Sequence, residues 1–147
     1  MTHKPLRLLI IEARFYEDIA DELARGAIAA LEQAGAAYDR IAVPGVLETP
    51  AALAMAIDAG HYDGYVMLGC VIRGETGHYD IVAVQSARAI MDLAVKHRLA
   101  LGNGILTVED GEQAWARARV GEGDKGGSAA RAALAMIAVK AELGSPG

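Results

Sequence analysis

Four times along this chain a short apolar run gives way to a longer stretch with helical spacing. That alternation limits the fold more than any other feature. Each helix must return the chain to the same end of the sheet, so the strands pair in parallel and the helices cover both faces. Leu6–Ile11, bounded by Pro5 and Glu12, reads as the first strand, and Tyr38–Val43, cut by Pro44-Gly45, as the second. Asp63–Ile72 is the third and most apolar, and Ala100–Thr107 is a fourth, interrupted by Gly102-Asn103-Gly104. Ile19, Leu23, Ala27, Ala30 and Leu31 share one helical face before Gly35, Glu48–Ala59 forms a helix ending at Gly60, and Tyr79–His97 forms the next. Asp110–Arg119 and Gly126–Leu143 are two closing helices separated by VGEGDKGG. With no internal repeat or linker, residues 1–147 are expected to form one α/β domain, with 144–147 a loose tail.

Composition removes several function classes. Hydrophobic residues make up 53% of the chain but aromatic ones only 5%, so small aliphatics, alanine above all, supply the apolar surface. That suits helices packed closely on a sheet or on other subunits. A net charge of −5 and the lack of a basic block argue against a nucleic-acid partner. No apolar run reaches membrane-spanning length, and MTHKPLRLLII lacks the long apolar core of a signal peptide, so a soluble cytoplasmic protein with no membrane partner is expected. Cys70 is the single cysteine, which rules out an internal disulfide framework and a cysteine-based zinc site. No histidine–carboxylate cluster has metal-ligand spacing, and neither GxGxxG nor a Walker ending is present. A receiver domain is excluded too: Glu12 stands alone after the first strand, and the third ends Gly69-Cys70-Val71.

In open α/β sheets ligands sit beyond the carboxyl ends of the strands, so the residues following each strand carry the functional information. These are Glu12 to Tyr16, Pro44 to Glu48, the stretch GCVIRGETGHYD at 69–80, and Asn103 with Thr107. Gly74-Glu75-Thr76-Gly77 precedes a helix, where turned backbone amides and the helix terminus suit a phosphate; the plain alternative is a turn with Thr76 as a cap. His78 sits where a histidine can exchange protons near neutral pH, or it is simply structural. Asp80 either pairs with it or favours the helix N-terminus. Phe15, the one phenylalanine, can stack on a flat heterocycle or pack beneath a helix. Glu48 is favourable at a helix start whatever else it does. Arg117 and Lys125 flank a glycine-bearing turn and either reach an anion or stay solvated; Arg73 reads as a salt-bridge residue and Trp115 as packing.

Taken together, ARF at 13–15, VPGVLETP at 43–50, LGCVIRGETGHYD at 68–80, GILTVEDGEQAWARA at 104–118 and DKGGSAARAALAM at 124–136 resemble the lumazine synthase family. These motifs span nearly the whole chain. The resemblance implies a flavodoxin-like three-layer sandwich around a four-stranded parallel sheet, assembled as pentamers with active sites between neighbouring subunits. It also implies the penultimate step of riboflavin biosynthesis, in which 5-amino-6-(D-ribitylamino)uracil condenses with 3,4-dihydroxy-2-butanone 4-phosphate. Phe15 would stack on the pyrimidine, and Val46, Leu47 and Glu48 would line the ribityl site. Cys70, Val71 and Ile72 would belong to the substrate site, the last two presenting backbone groups to the ring. Glu75 and Thr76 would hold phosphate through loop amides, joined by Arg117, with His78 as the proton-transfer residue and Lys125 nearby. No cofactor or metal is implied, and the partners are the two small substrates, further copies of the chain, and riboflavin synthase as a functional associate.

Three positions depart from the family pattern. Tyr16 stands for a frequent asparagine, Asn103 for a frequent aromatic that covers the pyrimidine from the adjacent subunit, and Ser128 for a frequent glutamate. Shell-forming members carry a glycine-rich kink between the last two helices, whereas this chain has Arg119-Val120-Gly121-Glu122-Gly123. That difference leads to the expectation of a pentamer without a closed shell. A competing class, a flavin- or lumazine-binding relative or structural shell without turnover, would carry bound yellow flavin and form no product. Retention of His78, Arg117, Lys125 and the glycine loop favours the enzyme.

Overall fold

The computed structural model describes residues 5–144 of the chain. The elements follow in the order β1 (Arg7–Ala13), α1 (Glu17–Gln33), β2 (Ala37–Val43), α2 (Thr49–Ala59), β3 (Gly64–Ile72), α3 (His78–His97), β4 (Leu101–Val108), α4 (Gly111–Ala118) and α5 (Lys125–Gly144). A single 3-10 turn, Val46–Glu48, leads into α2. All strand pairings are parallel, in the order β2-β1-β3-β4. This is the flavodoxin-like arrangement expected, with a topological switch point between β1 and β3.

Side-chain alternation sorts the core into two layers. Leu8, Ile10, Val66 and Leu68 point to one face, where α1, α4 and α5 cover them with residues such as Leu23, Ala118 and Ala133. Leu9, Ile11, Tyr65 and Met67 point to the other face, under Leu53 of α2 and Ile90 of α3. The central strand β3 is buried on both faces for nearly its whole length, so it reads as a continuous apolar run. The expected apolar face of α1 is buried throughout. Its end is set by Gly35 at φ +73°, whose N–H donates to the Glu32 carbonyl while the Ala36 N–H donates to Leu31. That pair of hydrogen bonds satisfies carbonyls the helix leaves open, and only glycine adopts this conformation cheaply. Among the described residues, no helix is long and apolar enough to cross a membrane.

Four sequence expectations are corrected. β1 does not stop before Glu12 but runs through it to Ala13, because the buried carboxylate is met by Arg40 and Arg14. β4 is not broken at Gly102-Asn103-Gly104. A β-carbon built at Gly102 would collide with the Ala129 carbonyl, and one at Gly104 would stand 2.9 Å from the Ala129 and Leu68 side chains. The glycines therefore serve close approach of α5 to the strand. Asn103 consequently lies within β4, opposite Met67, and not beyond its carboxyl end. Val108 at the rim lies five positions further on, about 16 Å at the usual rise. Finally, Gly144 belongs to α5, while the rest of the expected tail, 145–147, lies outside the described residues.

Candidate active site

A cleft of about 410 Å³ opens at the carboxyl ends of β1, β2 and β3, beside the switch point. Small-molecule sites fall roughly between 300 and 1,000 Å³, so the volume suits a metabolite. Its walls come from the loops singled out in the sequence: Phe15 after β1, Val46, Leu47 and Glu48 after β2, and Thr76 and His78 after β3. Cys70, Val71 and Ile72, the last residues of β3, form the floor.

Local packing explains why these groups converge. Val46 is buried against Ala13, Val71 and Val82, and it can seat there because Gly69 has no side chain: a β-carbon at Gly69 would lie 2.8 Å from the Val46 methyl. Thr49 locks the turn by donating its hydroxyl to the Val46 carbonyl at 2.6 Å. With Val46 anchored, Leu47 and Glu48 face outward; the Glu48 N–H donates to the Gly45 carbonyl at 3.2 Å, while its carboxylate makes no hydrogen bond or ion pair with another described side chain. Phe15 is 73% exposed, its ring meeting Tyr16 edge-on at 4.9 Å. An aromatic residue held this open forgoes the burial that normally stabilises it, which is what a stacking surface requires.

On the other wall, Gly74 to Gly77 leads into the N-terminus of α3, and His78 is the first helical residue, exposed to the cleft. Thr76 accepts a hydrogen bond from the His78 N–H at 3.3 Å, so its hydroxyl braces the loop at the place where a capping role was one of the two readings. Unpaired amides and the helix dipole make this end of α3 electropositive. Asp80 does not pair with His78; it lies in the first turn of α3, 3.7 Å from the Arg73 guanidinium. Arg73 donates to Glu109 at 2.8 Å and stacks over Tyr79 at 4.3 Å, which joins the loops after β3 and β4. The salt-bridge reading of Arg73 therefore holds. Burial pushes the Cys70 thiol up to about 11, so at the floor of the cleft it is a neutral, apolar wall.

Glu75, Asn103, Arg117 and Lys125 do not line this cleft within one chain. Glu75 is exposed on the loop. Arg117 projects from α4 and donates to the Gln113 carbonyl at 3.2 Å, and Lys125 opens α5 across the turn that packs on Arg117. Asn103 lies in a separate, larger groove of about 700 Å³ between α3 and α5. That groove is lined chiefly by Met91, Val95, Met136, Val139 and Leu143, and it lacks the convergent polar groups of the rim. Chemistry, not size, therefore selects the cleft. Tyr79 and Val82 also line it, and sequence reasoning passed over both. Their signal was periodicity: Val82 is one turn after His78 on the same helical face.

The fold and cleft define a class: an α/β protein with an open cleft of small-molecule size at the switch point of a parallel sheet. The family model for 6,7-dimethyl-8-ribityllumazine synthase matches residues 5–141. The chain is 65% identical to 6,7-dimethyl-8-ribityllumazine synthase 1 of Rhizobium meliloti, over 97% of this chain and 96% of that protein. It is 63% identical to the 6,7-dimethyl-8-ribityllumazine synthase of Agrobacterium fabrum, over 93% of this chain and 96% of that one. The chain belongs to the 6,7-dimethyl-8-ribityllumazine synthase family, a family of enzymes.

Proposed function

We propose that this protein condenses 5-amino-6-(D-ribitylamino)uracil with 3,4-dihydroxy-2-butanone 4-phosphate to give 6,7-dimethyl-8-ribityllumazine, phosphate and water. The observation that carries the reading is the convergence of Phe15, Glu48, Thr76 and His78 on one cleft. The exposed ring of Phe15 offers a stacking surface for the pyrimidine, and the free Glu48 carboxylate accepts hydrogen bonds from ribityl hydroxyls. The amides before α3 and the Thr76 hydroxyl receive the phosphate, with Arg117 and Lys125 completing its charge. His78, at the edge of that anion site, moves protons during imine formation, phosphate elimination and ring closure. An amine and a ketone condense readily once aligned, so orientation supplies much of the rate.

Assembly belongs to the same reading. The α3–β4–α5 edge exposes Met91 at 63% and Val95 at 71%, and the opposite edge of the sheet exposes Ile41 at 42% and Met55 at 71%. Two different apolar edges favour head-to-tail contact, which closes into a ring when the rotation allows, here a pentamer. Such a contact brings the groove holding Asn103 toward a neighbour's β2 side, where Leu47 and Glu48 sit. That supports a site shared between subunits. The turn at Arg119–Asp124 closes on itself, with Glu122 3.3 Å from Arg119 and the left-handed conformation at Asp124, and it presents no glycine kink for a shell. The whole chain acts as one domain, in the cytoplasm, delivering its product to riboflavin synthase.

Protein treated with chelator and freed of flavin is to be mixed with both substrates while the lumazine product is followed optically. Product formation is expected, and its absence overturns the reading. Light scattering coupled to size-exclusion chromatography tests assembly: a monodisperse monomer refutes the ring, and a dominant hollow particle refutes the open pentamer.

A further inference from the structure

Among the described residues, Glu12 is the one charged side chain that is buried, at 2% exposure. Its position makes the charge unexpected. Leu8, Ile10 and Glu12 alternate onto the same face of β1, so an apolar side chain at position 12 would continue the core. A buried ion pair is commonly no more stable than apolar residues of similar volume, so stability alone does not account for it.

What the charge does is hold Arg14. Glu12 Oε1 accepts from Arg14 Nη1 at 2.8 Å and from Arg40 Nη2 at 2.9 Å, and Oε2 accepts from Arg40 Nε at 2.6 Å. The second Arg14 nitrogen donates to Asp21 of α1, and the Arg14 backbone N–H donates to the Val43 carbonyl at 3.0 Å. Hydrogen bonding to Asp21 above all raises the Arg14 guanidinium beyond its ordinary range, so the clasp stays charged. Arg14 is thereby tied to β1, β2 and α1 at once, yet it does not line the cleft. The next residue is Phe15, whose exposed ring receives little restraint from packing beyond the edge of Tyr16. Its orientation therefore depends on the backbone at Arg14.

We propose that Glu12 and Arg14 are positioning residues that hold the Phe15 ring over the cleft and so set affinity for the flat heterocyclic substrate. The proposal rests on the reading that Phe15 stacks on the pyrimidine. Arg40 serves as the second cationic partner of Glu12, meeting both carboxylate oxygens and so fixing the orientation in which Glu12 grips Arg14.

The test is a double-mutant cycle on the full-length protein. The dissociation constant of 5-amino-6-(D-ribitylamino)uracil is measured for Phe15→Ala, Arg14→Met, Arg14→Lys and the Phe15→Ala/Arg14→Met pair, with KM for the butanone phosphate alongside. Arg14→Met should weaken the pyrimidine about tenfold and leave the phosphate ester within about twofold, because only the stacking wall is disturbed. In the Phe15→Ala background the same change should add nothing, and Arg14→Lys should recover part of the loss. Multiplying losses in the double variant overturn the proposal while leaving the stacking reading intact. Unchanged affinity in Phe15→Ala overturns both. Should Arg14→Met not fold, Glu12→Gln replaces it in the same cycle. If neither folds, the cluster is structural and the proposal fails.

Discussion

Gly102→Ala is the sharpest test of how this fold carries its site. The added methyl would stand 2.6 Å from the Ala129 carbonyl carbon and 3.1 Å from its Cα, and nearer still to the carbonyl oxygen. Ordinary carbon–carbon contact begins near 3.5 Å, and the nearer carbonyl oxygen makes the larger demand, so α5 would have to retreat by more than about 1 Å. The clash is with the backbone of α5, which cannot yield by changing rotamer, and the residues that α5 buries beside it, Ala129, Ala130 and Ala133, have no rotamers to change either. Overpacking of this kind costs about 1–3 kcal/mol, and contact with backbone places it near the upper end. Replacing glycine by alanine also stabilises by about 0.4–1 kcal/mol through the unfolded chain, which works against the clash. The net loss should be about 2 kcal/mol. For a chain of this size that lowers Tm by roughly 6 °C. Gly104→Ala should cost less, since one of its two nearest neighbours is the flexible Leu68 side chain. Gly121→Ala, with nothing within 4 Å, should stay within about 0.5 kcal/mol. Thermal unfolding of all three, followed by circular dichroism at one protein concentration, gives the ranking; fixing concentration matters because assembly shifts apparent stability. An unchanged or raised Tm for Gly102→Ala would refute the idea that these glycines exist to admit α5.

Three further outcomes are expected. His78→Ala should lower kcat by roughly ten- to a thousandfold while leaving pyrimidine affinity largely intact, since an acid–base group acts on the barrier; stopped-flow product formation would return an unchanged kcat if the histidine is only structural. Arg117→Ala should raise KM for the phosphate ester by about an order of magnitude with little effect on the pyrimidine, and a loss confined to the pyrimidine would contradict its placement. Cys70 should resist iodoacetamide at pH 7.5: a thiol pushed up to about 11 has roughly a hundredfold less thiolate than an ordinary cysteine, and higher intrinsic nucleophilicity restores only about tenfold of that. Because the folded-state value lies above the unfolded one, the related stability is complete below about pH 9 and is lost as pH rises through about 11. Rapid labelling of the native protein, read by mass spectrometry, would show that burial does not protect the floor of the cleft.

Much of this was legible in the sequence because it depends on local chemistry. The apolar face of α1 and its glycine stop follow from a period that any helix imposes, and both appear where expected. The same holds for the loops after β1, β2 and β3, whose residues reach the cleft because strands of a parallel sheet all end on one rim. Tertiary structure alone decided the rest. Glu12 looked like a strand stop, since a lone carboxylate is costly to bury; only the approach of Arg40 from β2, across the sheet, makes its burial tolerable. Gly102-Asn103-Gly104 looked like a break because local propensity cannot register a helix lying against the strand, and that helix is what demands glycine there. Asn103, Arg117 and Lys125 fell outside the cleft for a related reason. Adjacency in sequence tells which strand end a residue follows, but where it faces depends on how α4 and α5 pack back and on which edge of the sheet remains open to another molecule.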